Sequence, residues 1–118
     1  MKSKHDLTIR EAQEKQLWTV PYSIGVMIAY EGKTVPHILA SHCALHAAKT
    51  VGKLAAVFED LDHTGNASPS PEQLDVIAAM SADLVTEALR FANLYGFDLA
   101  SVLVKRVAEK NGLSTYDV

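Results

Sequence analysis

Two segments of the sequence each carry a narrow stripe of polar side chains that could bind a ligand. Projected as a helix at about 100° per residue, the first segment places its imidazole, ammonium and carboxylate groups on one face, at His42, His46, Lys49, Lys53 and Asp60. The second places carboxylates, a guanidinium and an amide together, at Asp83, Glu87, Arg90 and Asn93. If the two segments pack antiparallel, the stripes meet and oppose cations to carboxylates.

The remainder of both segments is apolar, with leucine, alanine, valine and phenylalanine around most of the circumference. A helix of this kind must be covered on most sides. Its polar stripe therefore lines a cleft or faces a narrow strip of solvent. A solvated seam of ion pairs, each contributing about 0–1 kcal/mol, is the simpler interpretation, and a ligand-binding cleft is the functional one.

Capping signals and helix breakers predict the elements that position these stripes. Thr8 with Glu11, and Ser70 with Gln73, have the pattern of capping boxes. Gly96 is placed to end a helix in the left-handed conformation, and Asp98 to cap the next helix. The pattern predicts helices at about 8–18, 36–62, 71–95 and 98–111, with an irregular segment at 19–35. We therefore expect residues 1–118 to form a single all-α domain, a four- to five-helix bundle with two long central antiparallel helices.

Composition narrows the class of protein. A chain of 118 residues is long enough for one hydrophobic core, and a net charge of -3 argues against a nucleic-acid partner. No apolar run approaches the roughly 20 residues of a membrane span. The single cysteine and the polar N-terminal stretch favour the cytoplasm. The first long helix carries more apolar surface than a four-helix monomer covers, which predicts a homodimer or a dimer of dimers.

Several stretches resemble one family of helical enzymes. Leu45–Ala55 is similar to the metal-binding helix of the MazG-like all-α nucleoside triphosphate pyrophosphohydrolases, in which E-E-x-x-E lies within E-E-x-G-E-L-A. The G-x-L-A frame is kept at 52–55. Leu89–Leu99 resembles the family's third helix and the G-I-D-L start of its fourth, and Glu109–Asn111 resembles its E-K-N ending. The resemblance extends over Thr8–Asn111 and implies the same fold.

The resemblance implies a metal-dependent hydrolysis, but several of the family's metal-binding residues are replaced in this chain. Family members hydrolyse nucleoside triphosphates to monophosphates and pyrophosphate, using Mg²⁺ held by carboxylates. In this register the three motif glutamates become Lys49, Thr50 and Lys53, and the E-x-x-D of the third helix becomes Met80 and Asp83. One carboxylate beside two lysines makes a poor Mg²⁺ site, because ammonium groups occupy the place and charge of the metal. The implied activity is therefore weakened or lost.

Two interpretations of the altered site involve no metal. In the first, Lys49 and Lys53 form ion pairs with the facing carboxylates, and the protein is a non-catalytic structural or regulatory oligomer. In the second, the lysines bind the phosphate of a nucleotide or another phosphate-bearing small molecule directly. Lys110 and Asn111 match the terminal motif of the family and would contribute to that phosphate site.

A third interpretation keeps hydrolysis, with Mg²⁺ held by Asp83 and Glu87 and assisted by Asp60 and His46. Whether the chain is an enzyme stays open at this point. His42 and His46 also have the i, i+4 spacing of zinc ligands, but the sequence offers no evident third ligand. Hydrogen-bonded or water-facing histidines are therefore favoured over a zinc site.

Overall fold

A computed structural model describes residues 6–16, 35–65 and 68–118, with the backbone alone given for 35–37. Every regular element in these ranges is helical, as the predicted all-α class requires. The elements are α1 (Ile9–Lys15), α2 (Val35–Thr64), α3 (Pro71–Tyr95), α4 (Leu99–Asn111) and a short 3-10 helix (Thr115–Asp117). The segment predicted to be irregular, 19–35, lies outside the described residues except for Val35, which begins α2.

Helix α1 begins as predicted and ends earlier. The Thr8 hydroxyl oxygen accepts the backbone N–H of Glu11 at 3.1 Å and donates to the Glu11 carboxylate at 2.8 Å. The helix ends at Lys15, before the predicted boundary at 18, because Gln16 is already extended, with φ −67° and ψ 106°.

The backbone carbonyl of Gln13 accepts two hydrogen bonds at the end of α1. One comes from the backbone N–H of Gln16 at 3.4 Å and the other from the amide nitrogen of Asn93 on α3 at 3.0 Å. The Gln13 side chain donates to the Phe97 carbonyl at 2.8 Å and accepts the Leu99 N–H at 3.0 Å. The hydrogen bonds of Gln13 therefore connect α1 to the junction between α3 and α4.

Asp98 precedes α4 as predicted, but its side chain does not cap the helix. Its carboxylate accepts from the Arg10 guanidinium at 2.5 Å and from the Ser101 hydroxyl at 2.7 Å. The hydrogen bond from Arg10 is the main cause that lowers the pKa of Asp98 below its ordinary value. Asp98 is therefore the N-cap residue, as predicted, but its carboxylate binds a cation 88 residues away in sequence and makes no capping hydrogen bond.

Helix α3 has both of its predicted end signals. The Ser70 hydroxyl accepts the N–H of Gln73 at 3.1 Å, and the Gln73 side chain accepts the N–H of Ser70 at 2.8 Å. Gly96 ends the helix at φ 71°, where it donates its N–H to the Ala92 carbonyl at 2.8 Å. This left-handed conformation favours glycine because a Cβ would be strained there.

Helices α2 and α3 pack against each other and run in opposite directions. Near their connection the Gln73 amide donates to the Asp60 carboxylate at 2.9 Å. Farther along, His46 lies beside Glu87. The buried apolar side chains of the described residues are Ile38, Leu39, Ala40, Cys43, Leu61, Leu89, Ala92 and Ala108. This core is small for two helices of 30 and 25 residues. Within the described ranges, none of the helices has the length and apolar character to cross a membrane.

The capping box of α3 generates a stability prediction. Ser70→Ala removes the acceptor for the Gln73 N–H and should lower the free energy of unfolding by about 1 kcal/mol. Urea unfolding followed by circular dichroism measures this change. Ser81→Ala is the matched control, because the Ser81 hydroxyl lies within α3 and donates to the Ile77 carbonyl, which is already a helix acceptor. Equal losses in both variants would contradict the capping role.

Candidate functional site

A groove of about 350 Å³ lies between α2 and α3. It is lined by four residues of each helix: His46, Lys49, Thr50 and Lys53 from α2, and Asp83, Thr86, Glu87 and Arg90 from α3. The two polar stripes of the sequence therefore meet in the folded chain. Because their residues recur at helical spacing, one antiparallel packing brings them to a common cleft.

Glu87 is the buried charge of the groove. It is 6% exposed, and its Oε1 accepts from the Arg90 guanidinium at 2.6 Å. The Nδ1 of His46 lies 3.8 Å from the same oxygen. Burying a carboxylate without a partner is costly, and Arg90, one turn along α3, supplies the partner. Glu87 is therefore paired with a cation of its own helix.

The two lysines of the groove differ from Glu87 in their ion pairing. Within the described chain, Lys49, Lys53 and Asp83 are exposed and form no ion pair with one another or with Glu87. The ion pairs expected between these lysines and the facing carboxylates are therefore not formed. With His46 neutral, three cations against two carboxylates give the groove lining a net charge of +1. Two unneutralised ammonium groups on successive turns of α2 face one cleft.

His42 and Cys43 lie next to the groove without lining it. The rings of His42 and His46 are 4.1 Å apart between centroids and tilted by 53°. Burial, and then the neighbouring imidazole, lower the pKa of His42 below its ordinary value. Burial, and then the nearby Glu87 carboxylate, raise the pKa of the Cys43 thiol to about 12. Since the thiolate is the reactive form, this cysteine is a core residue and not a nucleophile at neutral pH.

The lining of the groove is a poor set of ligands for Mg²⁺. Among the described residues, no group of three or more histidines, cysteines, aspartates or glutamates is arranged to hold a metal ion. Glu87 is paired with Arg90, which leaves Asp83 as the accessible carboxylate of the lining. Mg²⁺ needs an octahedral shell of oxygens, and the two ammonium groups oppose a second positive charge.

Several predicted site residues lie elsewhere. Asp60 binds Gln73 near the α2–α3 connection, and Asn93 binds the backbone of α1. Lys110 and Asn111 lie at the end of α4, where the Asn111 amide donates to the Val107 carbonyl at 2.8 Å. They do not line the groove, because α4 packs against α1 and α3 rather than beside the α2 stripe.

Thr50 and Thr86 also line the groove. In the sequence Thr86 flanks the α3 stripe, and Thr50 stands at one of the three motif glutamates of the resembled family, but neither was predicted to bind a ligand. Thr50 lies about 100° from Lys49 around the helix, at the edge of the projected stripe. Its i, i+4 relation to His46 and its place in the resembled motif were the available signals. Hydroxyls on amphipathic helices are common, so the signal was weak without knowledge of where α3 packs.

No protein family, curated protein or solved structure matches the chain. Function therefore has to be inferred from the chemistry of the groove.

The Glu87–Arg90 pair generates a second stability prediction. Arg90→Met keeps the aliphatic stem but leaves Glu87 buried without its guanidinium. Because Arg90 is partly exposed, the free energy of unfolding should fall by about 2–3 kcal/mol, somewhat less than for a fully buried pair. Chemical denaturation of the purified variant measures the loss.

Arg106→Met is the control for this experiment, since Arg106 pairs with Glu109 at the same three-residue separation on an exposed surface. Its loss should stay within about 1 kcal/mol. Similar losses in the two variants would show that burial of Glu87 adds nothing to the pair.

Proposed function

We propose that this chain is a MazG-like helical bundle that binds a nucleotide or another phosphate-bearing small molecule in the α2–α3 groove, with metal-dependent pyrophosphohydrolysis weakened or lost. The observation that carries this proposal is the pair of lysines, Lys49 and Lys53, which line the groove without a carboxylate partner in the described chain. Unneutralised cations facing a cleft attract an anion.

The spacing of the lysines suits a phosphate group. Side chains at i and i+4 have Cβ atoms about 5–6 Å apart, so two flexible ammonium groups can converge on one phosphate or on adjacent phosphates. Lysine binds phosphate as a point charge with three rotatable donors. A groove of about 350 Å³ lies at the lower end of the range of small-molecule pockets, roughly 300–1,000 Å³. These features support a small anionic ligand.

The remaining carboxylates support weakened hydrolysis. Metal-dependent hydrolysis needs a metal ion that polarises the phosphoryl group and lowers the pKa of bound water. Glu87 is held by Arg90, and Asp83 lies in the same lining as the two lysines. Ammonium groups supply positive charge to phosphate but have no coordination position for water. The proposed groove therefore retains binding more readily than catalysis.

Thermal unfolding with a panel of nucleoside mono- and triphosphates tests binding. We expect at least one nucleotide to raise the Tm of the wild type, since a ligand that binds the native state stabilises it. Lys49→Ala with Lys53→Ala should abolish that rise. The control pair, Lys15→Ala with Lys105→Ala, removes the same charge from α1 and α4 and should preserve it. A nucleotide response that survives loss of the groove lysines would refute the proposed site.

Release of pyrophosphate tests the hydrolytic part of the proposal. With Mg²⁺ or Mn²⁺ and the same triphosphates, the wild type should release little or none. Turnover that Asp83→Asn abolishes would instead support a surviving metal site.

A second candidate, a helical structural or regulatory oligomer, is favoured by the face of α2 opposite the groove. Exposed apolar residues recur there at alternating intervals of four and three, at Ala44, Ala48, Val51, Ala55 and Phe58. Val51 is 52% and Phe58 50% exposed. This is the spacing of a coiled-coil seam, which a second helix covers by knobs-into-holes packing. A homodimer through this seam, or a dimer of dimers, would bury it.

Adjacent alanines provide a matched test of the seam. Ala55→Glu places a charge on the seam and should shift the mass in sedimentation equilibrium from dimer toward monomer. Ala56→Glu introduces the same charge about 100° away around the helix and should leave the mass unchanged. A wild-type protein that is monomeric at high micromolar concentration would exclude this candidate.

A further inference from the structure

The two walls of the groove carry opposite net charges. With His46 neutral, the α2 wall has two ammonium groups and no carboxylate, which gives it a net charge of +2. The α3 wall has two carboxylates and one guanidinium, which give it a net charge of -1. A ligand that lies across the groove therefore meets cations on one side and negative charge on the other.

Asp83 is the carboxylate of the α3 wall that a ligand can reach. Glu87 is buried and accepts from Arg90, whereas Asp83 is exposed. Within the described ranges the Asp83 side chain makes no hydrogen bond and no ion pair. No nitrogen of Lys49 or Lys53 comes within 4.0 Å of its carboxylate oxygens. Opposite charges therefore line the same groove without pairing.

The register of the two helices places Asp83 across the groove from the lysines. His46 of α2 lies beside Glu87 of α3, and Asp60 lies beside Gln73. Because the helices are antiparallel, each step forward along α2 corresponds to a step backward along α3, so Asp83 is level with position 50. That position lies between the two lysines along the chain. A phosphate held by both ammonium groups would face Asp83, which repels it unless the ligand places a positive charge between them.

We infer that the groove selects a zwitterionic phosphate ester, the phosphate of an amino alcohol, whose phosphate binds Lys49 and Lys53 and whose ammonium group binds Asp83. This inference rests on the proposed function. A phosphate dianion with one ammonium group has a net charge of about -1, which neutralises the net charge of +1 on the lining. A phosphate ester without the ammonium group leaves Asp83 facing a dianion. Asp83 is thus assigned as the residue that determines the class of ligand.

Phosphoethanolamine and propyl phosphate are matched probes, since an ammonium group in the first takes the place of a methyl group in the second. At about pH 8, above the second pKa of a phosphate ester at roughly 6, both phosphates are dianions. EDTA excludes divalent ions from Asp83. In ¹H–¹⁵N NMR titrations at low salt, the wild type should bind phosphoethanolamine with a Kd about threefold lower than that of propyl phosphate, within the range of an exposed ion pair.

A neutral isostere tests the role of Asp83. Asp83→Asn keeps the size of the side chain and removes its charge, so it should bring the two Kd values together. Asp75→Asn is the matched control, because Asp75 is an exposed carboxylate of the same helix that does not line the groove, and it should keep the preference. A preference that survives Asp83→Asn, or that Asp75→Asn removes equally, would overturn the assignment.

The two probes also separate this inference from the proposed function. If the wild type binds both probes equally and Lys49→Ala with Lys53→Ala weakens both, the inference is overturned and the proposed function stands. Failure of the wild type to bind either probe or any nucleotide would overturn both.

Discussion

The burial of Glu87 is the constraint on which the electrostatics of the groove depend. Glu87 is 6% exposed, and burying a carboxylate without a partner is costly. The guanidinium of Arg90, one turn away on the same helix, donates to it at 2.6 Å. Because this pairing is local to α3, it engages neither lysine of α2, and the α2 group beside Glu87 is His46, whose Nδ1 lies 3.8 Å from the same oxygen. Among residues 6–16, 35–65 and 68–118, Lys49 and Lys53 have no ion-pair partner, and the lining of the groove has a net positive charge. The net positive charge of the groove therefore depends on the pairing of the buried Glu87 with Arg90 and not with a lysine.

The two faces of α2 present opposite surfaces. One face contributes imidazole, ammonium and hydroxyl groups to the groove, while the other exposes an apolar seam from Ala44 to Phe58. The seam lies about half a turn away from the lysines around the helix. A ligand in the groove and a second helix on the seam would therefore not compete for the same surface. Phosphate binding and self-association are compatible in one molecule, and each can be tested while the other is preserved.

Sequence reasoning succeeded where the determinants are local and failed where they are tertiary. The capping box at Ser70 and the left-handed Gly96 depend on residues a few positions apart, and helical periodicity alone placed the polar stripes on one face of each helix. Periodicity gives the direction of a side chain around its helix but not its distance to a neighbour. It therefore could not show that Glu87 pairs with Arg90 rather than with a lysine. The ion pair between Arg10 and Asp98 could not be predicted either, since those residues are 88 positions apart in sequence.

Under the proposed MazG-like function, Lys49 and Lys53 stand where that family has metal-binding carboxylates, and this difference changes what a phosphate site can do. A divalent ion held by carboxylates binds the phosphate and also lowers the pKa of a water molecule in its own coordination shell. An ammonium group donates hydrogen bonds to phosphate but offers water no coordination position. The same substitution places positive charge in the chain itself, where it repels an incoming cation. If the proposed function holds, the chemistry of lysine at these two positions favours phosphate binding over metal-dependent hydrolysis.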